Sequence, residues 1–599
     1  MIRASLLALA LSGAVAAGAS AQVDTTVHDS TAHRDSTARR DSTVPPRDTT
    51  TALLPVMPLP IAPGPLPAGA RYTFTTDSLL FTNVRTLSDL LTRIPGVYVA
   101  RGGWQGQAEP VLFGGRGAGA AAIEVYWDGA PYLSIGRDSL ALDPARIPLA
   151  PLERIDVIVL PAQLRVYLVT ARPKSTAPVT QIGIATGKLG IAGYRGGYAT
   201  RSRSGLGFSF VFDQNSLDGS PNATTTSFSS TDLWFKADYV DPGGRLGASF
   251  QVLSSTWRRA AETGRVDAWR QQRRDQVYRF FAADRSDGLG WRLSGIVMKS
   301  ALEKDTVVAP RDLFQTSLAL SRTWPQASVA VTGRLGYDGA PTEIDVEGGW
   351  NLGQRLTLAG SARHAKYAGS RSGDRANLTA GLALPLGFGV RGEVAWSHDV
   401  RAPLDLSDSL RQRTTDVAAW LRWDRPRITL EVGRGRRDPF TPLGFEAGIK
   451  PVDHLGPTPT TEFIAAHASI HPLPGVFLAG WYFDPVVGGG DFEPPHHARF
   501  SAAFYSKFWR VYKSGIFALR AEVAVESWSR WGFGGQDSTG AQLRLGGATY
   551  AETNFEFQLA GVTLFWIIRN SNGMRANYVQ GLSHPRGVQV WGARWFFTN

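Results

Sequence analysis

Residues 87–99 read LSDLLTRIPGVYV, and together with the residues up to Val169 this stretch decides the fold. Leucine and isoleucine recur at helical spacing from Leu87 to Ile94 and predict a short helix. The helix must end at Pro95–Gly96, because proline disfavours helix in the residue before it and glycine accepts a left-handed cap. A helix of this length is one element of a small domain.

Three more pieces follow in the same region. They read FGGRG at 113–117, IEVYWDGAPY at 123–132 and PLERIDVIV at 151–159. The last two alternate apolar residues with smaller or polar ones, which is typical of strands. Asp128–Gly129 is a tight-turn dipeptide. These residues predict a compact α+β domain with one helix.

Taken together, the four pieces resemble the plug domain of TonB-dependent receptors of Gram-negative outer membranes. The resemblance implies structural roles for Pro95, Gly96, Arg116, Gly117, Asp128, Gly129, Pro131, Glu153, Arg154 and Ile155. It also implies substrate contacts from the apex loops of the plug, here Trp104, Gln105 and Tyr132. The glycines that usually follow in this family are missing from residues 160–172, which read LPAQLRVYLVTAR.

The N-terminal residues predict export. A basic start, an apolar core over Leu6–Ala17 and a small-residue cleavage site at Ala19–Ala21 predict a signal peptide over residues 1–21. Residues 22–70 are rich first in Asp, Ser and Thr and then in Pro, and they predict a disordered periplasmic tether. Within that tether, the resemblance makes Asp24, Thr25 and Val27 the candidate contact with TonB.

Composition agrees with an exported strand-rich protein. The chain of 599 residues contains 65 Gly, 18 Trp, 16 Tyr and 29 Phe, as suits many short strands and turns. The chain contains no Cys, which excludes disulfides and thiolate metal sites. The net charge of +12 comes without a nucleic-acid-binding motif, so we expect no nucleic acid and assign the cations to lipopolysaccharide phosphates.

Residues 178–599 show the repeating pattern of amphipathic strands. From Leu246 to Val252, for example, apolar and small or polar residues alternate. Either a soluble sandwich or a transmembrane barrel has this period. Short connections such as Asp241–Gly244 alternate with longer polar ones such as Asp399–Gln412 and Gly433–Thr460, which favours the barrel.

We therefore predict a transmembrane β-barrel of about 22 antiparallel strands over residues 178–599, with an α+β plug domain over residues 71–177 inside its lumen. A barrel of that width needs a plug, because its lumen would otherwise leak. Residues 564–570 and 585–597 are predicted to form the last two strands. The predicted location is the bacterial outer membrane, where membrane lipid and lipopolysaccharide surround the barrel.

The sequence offers no catalytic motif. HExxH, P-loop, GxSxG and zinc-ligand patterns are all absent, so we predict neither an enzyme nor a cofactor. One loop combines several residue types that bind metal ions, namely Asp491, Glu493, His496 and His497. These residues are weak metal-ligand candidates, and the alternative is a polar loop with solvated histidines.

Two function classes stay open, the first implied by the resemblance and the second by the missing glycines of residues 160–172. In the first, the chain binds a scarce nutrient such as a siderophore, cobalamin, a glycan or a peptide, and imports it with energy from the TonB complex. A surface lipoprotein is a further possible partner of such a receptor. In the second, the plugged barrel no longer transports and serves as a surface binding, adhesion or assembly component.

Overall fold

The computed structural model forms a closed barrel of 22 antiparallel strands around a small α+β domain. It describes residues 53–598 except 61–63, 77–78, 80–83, 102–108, 110, 114–122, 137–142, 162, 220–226, 262–267, 354, 405–409, 443, 447–449, 453–455, 489–495, 509–510, 512–515, 537–538, 540–541, 576 and 580–581. The fold class predicted from the sequence is confirmed.

The described part of the inner domain, which we call the plug, includes a helix, seven strands and a 3₁₀ turn. The helix α1 is Leu87–Leu91 and the 3₁₀ turn is Pro144–Arg146. The strands are β1 (Arg71–Thr75), β2 (Val97–Val99), β3 (Val111–Phe113), β4 (Ile123–Trp127), β5 (Ala130–Pro131), β6 (Leu152–Leu160) and β7 (Gln163–Thr170). Five of them form one sheet in the order β1-β6-β7-β4-β5, in which only β4 and β7 are parallel.

Local sequence explains why the helix is short. Thr86 and Asp89 form a capping box, in which the Asp89 carboxylate accepts hydrogen bonds from the backbone N–H of Arg85 at 2.7 Å and of Thr86 at 3.0 Å. The chain turns out of the helix at Gly96, whose φ of 78° favours glycine. Within the described residues, no helix is long and apolar enough to span a membrane.

Twenty-two strands of the C-terminal part form the barrel. The first eleven are β8 (Val179–Gly187), β9 (Ile191–Arg201), β10 (Leu206–Leu217), β11 (Phe228–Val240), β12 (Leu246–Arg259), β13 (Trp269–Ala283), β14 (Gly290–Asp305), β15 (Arg311–Thr323), β16 (Ala327–Tyr337), β17 (Thr342–Leu352) and β18 (Leu356–Lys366). The remaining eleven are β19 (Ser372–Ala383), β20 (Phe388–Val400), β21 (Arg411–Arg425), β22 (Ile428–Arg437), β25 (Thr461–Ile470), β26 (Val476–Val487), β27 (His497–Ser506), β28 (Phe517–Trp528), β31 (Ala548–Leu559), β32 (Val562–Arg569) and β35 (Val588–Thr598).

Three small hairpins lie between the barrel strands. They are β23 (Gly444–Glu446) with β24 (Lys450–Val452), β29 (Trp531–Gln536) with β30 (Gln542–Leu545), and β33 (Asn577–Val579) with β34 (Leu582–Ser583). The barrel closes where β35 pairs with β8, for example at Trp595 opposite Ile182. The two final strands, β32 and β35, lie where the sequence predicted them.

The two faces of each barrel strand differ as the alternation predicts. In β16, Val329, Val331 and Leu335 are exposed on the outside, whereas Ala330 and Arg334 are buried inside. The other barrel strands repeat this pattern, so large apolar side chains cover the outer surface. An apolar outer band with a polar interior is typical of transmembrane barrels, and the sandwich alternative is therefore wrong.

The connections between strands sort to the two ends of the barrel. The strand ends that flank the long connections 218–227, 401–410, 438–460 and 529–547 lie at one end, which we call the outer end. That end also has short connections that the sequence did not predict, at 188–190, 306–310, 338–341 and 367–371. Except for 507–516, the connections at the opposite, inner end are short.

The plug core is continuous with the barrel wall. Leu90, Ile94 and Val157 of the plug belong to the same buried apolar cluster as Trp234 and Met298 of the barrel. The plug therefore fills the lumen and packs against β11 and β14 without an intervening solvent layer.

The segment before the plug differs from the predicted disordered tether in its described part. Residues 53–60 and 64–70 contain no helix or strand, yet they pack against the plug and the barrel, with Met57 and Ala70 buried. Side chains from the plug and barrel hold this segment because its prolines have no N–H with which to join a sheet. Residues 1–52, which include the predicted signal peptide, lie outside the described residues.

We predict that Val331→Arg in the middle of β16 destabilises the barrel by about 2–4 kcal/mol, because a cation on the outer face would have to leave water for lipid. The side chain of Val331 is exposed on that face. Unfolding titrations of the chain refolded into lipid bilayers measure the change. Val331→Leu is the matched control and should lie close to the wild type, and equal stability of the two variants would contradict a lipid-facing β16.

Candidate functional site

The tight turn at Asp128 joins the plug to the barrel wall. Its backbone has a positive φ of 47°, and its carboxylate accepts hydrogen bonds from the Thr170 N–H at 3.0 Å and the Thr170 hydroxyl at 2.5 Å. From the barrel, Gln251 Nε2 donates to the same carboxylate at 2.9 Å and Lys236 Nζ lies 3.4 Å away. Asp128 is therefore bound by both the plug and the barrel.

Charge explains why this carboxylate is stable in a buried position. Burial alone would raise the pKa of Asp128. The cations of Lys236 and Arg279 and the hydrogen bonds from Thr170 outweigh burial and lower that pKa to about 2. Asp128 is consequently ionised at neutral pH and balances the buried ammonium group of Lys236.

Gln251 extends this contact into an indole pair. Its Oε1 accepts hydrogen bonds from Trp127 Nε1 of the plug at 3.1 Å and from Trp234 Nε1 of the barrel at 3.0 Å. One barrel amide thus satisfies two buried indoles and the Asp128 carboxylate. Polar groups buried in this way stabilise an interface only when every member is paired, and here these groups are.

A second cluster holds α1 to the last strands of the barrel. Arg569 Nη1 donates to Asp89 at 2.6 Å, and Arg101 lies between Asp89 at 3.4 Å and Glu552 at 3.3 Å. Burial would raise the pKa of Asp89, but Arg569 and Arg101 hold it well below its usual range. The helix α1 is therefore fixed to the wall by a buried ion-pair network.

Glu109 adds a proton-binding group beside this cluster. Burial raises the pKa of Glu109 to about 7, with contributions from the charges of Asp89 and Asp143 against the opposing charge of Arg101. Its backbone N–H donates to Asp143 Oδ1 at 3.0 Å. Glu109 follows residues 102–108, the predicted apex loop, which lie outside the described residues.

A third cluster joins the plug sheet to the opposite wall. Glu124 of β4 forms an ion pair with Arg363 and lies 3.7 Å from Arg165 and 3.6 Å from Arg375. Burial would raise the pKa of Glu124, but these cations lower it to about 2. Arg165 also reaches Glu347 of β17 at 3.3 Å.

Several residues with predicted structural roles make contacts within the plug. Glu153 accepts hydrogen bonds from the Arg172 N–H at 2.8 Å and Arg172 Nε at 2.6 Å, and Arg154 binds Asp156 at 2.6 Å within β6. Ile155 is fully buried in the plug core. These contacts hold β6 and the residues after β7 together.

Two other predicted positions contact the barrel. The Pro131 carbonyl accepts a hydrogen bond from Gln315 Nε2 at 3.2 Å. Tyr132, a predicted substrate contact, is 9% exposed, and the guanidinium of Arg273 lies 3.9 Å from its ring centroid. Its ring thus packs against the barrel wall through a cation–π contact, and its role as a substrate contact stays a prediction.

Other predicted positions lie outside the described residues. They are Arg116 and Gly117 of the plug motif, the substrate-contact candidates Trp104 and Gln105, the TonB-contact candidates Asp24, Thr25 and Val27, and the metal-ligand candidates Asp491 and Glu493.

The two histidine candidates do not meet at one site. His496 Nδ1 lies 2.7 Å from Asp484 on the exposed outer end. His497 is only 1% exposed; its Nε2 lies 2.9 Å from Glu526, and its ring packs edge-on against Tyr98 and Trp481. The solvated position considered from sequence is therefore wrong for His497, which begins β27 and points inward. Among the described residues, no group of three or more His, Asp or Glu side chains is placed to hold a metal ion.

Sequence reasoning missed the charged residues that make the interface. Asp89 could have been recognised from the Thr86-x-x-Asp89 spacing of a capping box, but its partner Arg569 is 480 positions away. Glu124 and Arg165 read as ordinary polar positions of alternating strands, and only the fold brings them to Arg363.

Comparison with known proteins agrees with this architecture. Residues 67–166 match the family described as the TonB-dependent Receptor Plug Domain. The siderophore receptor PirA from Acinetobacter baumannii is similar in structure at 11% identity, with a TM-score of 0.65 over 89% of this chain and 100% of that one. No curated protein sequence matches the chain.

Two further structures are similar over the same extent. The ferric enterobactin receptor PfeA from Pseudomonas aeruginosa has 11% identity and a TM-score of 0.66 over 88% of this chain and 98% of that one. The copper transporter OprC has 12% identity and a TM-score of 0.69 over 90% of this chain and 99% of that one. The resemblance seen in the sequence is confirmed, because the chain has a TonB-dependent receptor plug inside a barrel. The predicted location in the outer membrane is confirmed as well.

We predict that Asp128→Asn destabilises the seated plug by about 3–5 kcal/mol, because it leaves the buried Lys236 ammonium uncompensated. Thermal unfolding and limited proteolysis of the purified chain measure the loss. Asp128→Asn combined with Lys236→Met removes both charges and should recover part of it, whereas additive losses would contradict a direct coupling of the two groups.

The pH dependence of this contact has a defined sign. The folded pKa of Asp128, about 2, lies below the unfolded value of about 3.9, so the ionised carboxylate stabilises the plug above about pH 4 and this contribution disappears as the pH falls towards 2. The stability difference between wild type and Asp128→Asn should be constant from pH 5 to 8 and narrow below about pH 4.

Proposed function

We propose that this chain is an outer-membrane receptor, and not an enzyme, that binds a scarce nutrient at the cell surface and imports it into the periplasm. The supporting observation is a 22-strand lumen filled by a separate plug, which ion pairs and hydrogen bonds join to the wall beside a shared apolar cluster. Import requires this plug to rearrange in the lumen and then to reseat, and its charged groups have specific partners on the wall to which they return.

Energy for that rearrangement has to come from outside the barrel. The outer membrane has no ion gradient of its own, and the Asp128, Asp89 and Glu124 clusters must all be disrupted if the plug is to leave its seat. We assign the energy to the TonB complex, which would pull on the segment that precedes β1. The plug domain match at residues 67–166 supports this partner.

The substrate class that we favour is a metal chelate. Two of the similar structures are siderophore receptors and another is a copper transporter, whose substrates are metal ions or their chelates. Cobalamin, a glycan or a peptide are the other nutrient classes considered, and a surface lipoprotein would assist with the larger ones. Uptake of ⁵⁵Fe-loaded siderophores by cells with and without the chain, compared with uptake of oligosaccharides, separates these classes.

A plugged barrel that does not transport is the second candidate. Its supporting observation is the segment after β6, where residues 163–170 lack the usual glycines and form a fully buried strand β7 at the centre of the plug sheet. A rigid centre resists rearrangement. Such a barrel would act in surface binding, adhesion or assembly.

The outer surface supports a contact with lipopolysaccharide. Near the outer end of β18–β22, an outer basic patch comprises Lys366, Arg411, Arg413, Arg434 and Arg436, on the same face as the exposed apolar residues of those strands. Asp374 and Glu462 pair with only two of these cations, Arg411 and Arg434. We propose that lipopolysaccharide phosphates bind the remaining charge, since Arg and Lys are suited to phosphate.

We predict that deletion of residues 22–31, which contain Asp24, Thr25 and Val27, abolishes uptake and leaves nutrient binding intact, because the TonB contact is lost while the barrel and plug are unchanged. Uptake and surface binding of a labelled nutrient by whole cells measure the two effects. Deletion of residues 32–41 is the matched control. Retained uptake would contradict energised transport and favour the second candidate.

We also predict that Lys366→Gln, Arg413→Gln and Arg436→Gln together weaken lipopolysaccharide binding by at least about tenfold, since three phosphate partners are removed. Native mass spectrometry of the purified chain with added lipopolysaccharide measures the change in affinity. Arg274→Gln with Lys299→Gln is the control, because these outward cations already pair with Glu303 and Asp312. Equal losses in both sets would contradict a localised site.

A further inference from the structure

Residues 53–60 and 64–70, which we call the wall strap, follow the inner surface of the barrel at its inner end. The strap begins near Val240 of β11 and Phe281 of β13, where Met57 is buried. It ends at Gly69, next to Arg391 of β20 and Glu431 of β22. In barrel order, the strands from β11 to β22 are consecutive, so the strap borders about half of the wall.

Arginine side chains hold the strap through its backbone. The Met57 carbonyl accepts a hydrogen bond from Arg172 Nη1 at 3.0 Å, and the Pro58 carbonyl accepts one from Arg279 Nη2 at 2.7 Å. At the other end, the Ala68 carbonyl accepts one from Arg391 Nη1 at 3.0 Å. A proline-rich segment has carbonyl acceptors but few N–H donors, and guanidinium groups from the wall and the plug supply the donors that it needs.

The strap also fits recesses where the wall has glycine. A Cβ atom at Gly349 of β17 would lie 2.4 Å from the Pro65 carbonyl oxygen, and one at Gly381 of β19 would lie 2.8 Å from Pro67 Cβ. Both distances are shorter than atoms can approach. Any larger residue at these inward-facing positions would therefore displace the strap.

On its other side, the strap covers the plug sheet. Leu59 and Leu66 pack against the cluster that contains Tyr126, Ile158 and Tyr167. The strap thus has one surface on the wall and one on the plug, and it occupies the space between them.

A cavity lies directly behind this segment. Its lining comes from Pro65 and Leu66 of the strap, Ile158 and Arg165 of the plug, and the wall strands β17, β18 and β19. Arg165 spans the cavity from the plug to Glu347 at 3.3 Å and Ser361 at 3.2 Å on the wall, and the strap borders the cavity towards the inner end. Without the strap, this gap would be continuous with the inner mouth of the barrel.

We propose that the wall strap is a seal: it closes the gap between plug and barrel on the β17–β19 side, and without it the barrel conducts ions while the plug is still seated. The sequence alone suggests a mere spacer at this position, yet the contacts make it a structural part of the permeability barrier. The inference concerns passive leakage and holds whether or not the chain transports a nutrient.

Ion conductance of the purified full chain in planar lipid bilayers tests the seal. Gly349→Val with Gly381→Val fills the recesses and should raise the frequency of conducting events at least about tenfold, which corresponds to about 1.4 kcal/mol of lost closure. Gly333→Val with Gly392→Val is the matched control, because these glycines lie in β16 and β20 with no atom within 4 Å of an added Cβ.

Deletion of residues 64–67, the part of the strap that lies at Gly349 and Gly381, provides an independent variant that leaves the barrel wall unchanged. It should also raise conductance, whereas deletion of the equally long stretch 31–34 should not. Heat-modifiable electrophoretic migration verifies that each barrel is folded. Wild-type conductance in both the recess-filled and the strap-deleted chains would overturn the proposal, and so would an equal rise in the matched controls.

Discussion

The structure depends on the closure of one hydrogen-bond ladder. In lipid, an open sheet edge would leave a row of backbone N–H and C=O groups without partners, and each would cost several kcal/mol. Pairing of β35 with β8 removes that edge. Closure with 22 strands creates a lumen too wide for its own inward side chains to fill. The plug, its polar contacts with the wall and the wall strap are all consequences of that width.

The polar character of the plug–barrel contact follows from the same constraint. Inward positions of a transmembrane barrel are mostly polar, whereas the outer face carries most of the apolar side chains. The plug therefore meets charged and amide groups, and its own charges must be paired with them, as Glu124 is with Arg363 and Asp89 with Arg569. Such pairs specify one seated position, while their desolvation offsets much of their attraction.

The sequence predicts what is periodic or local and misses what is distant. Alternation in strands such as β16 and the proline–glycine stop after α1 depend on neighbouring residues, and both are present as predicted. The Asp89–Arg569 contact joins residues at opposite ends of the chain, and no local pattern indicates it. The strap is a second case in which distant residues decide the structure. Its composition indicates disorder, but it packs against Gly349 and Gly381, which are hundreds of positions away.

The order of the plug strands determines where a pull on the N-terminal segment would act. The strap leads directly into β1, which lies at the edge of the plug sheet and pairs only with β6, over five residue pairs. The central strands β6 and β7 are paired on both sides, and β7 is buried along its whole length. Force applied through the strap would therefore act first on the strap, which arginine side chains hold. It would act next on β1, which has only one neighbouring strand, and only then on the centre of the sheet. A gap opened by removing these two elements first would lie beside the wall at the cavity, where the Arg165 contacts with Glu347 and Ser361 would be the next to break. The Asp128 and Asp89 anchors would remain in place elsewhere on the wall.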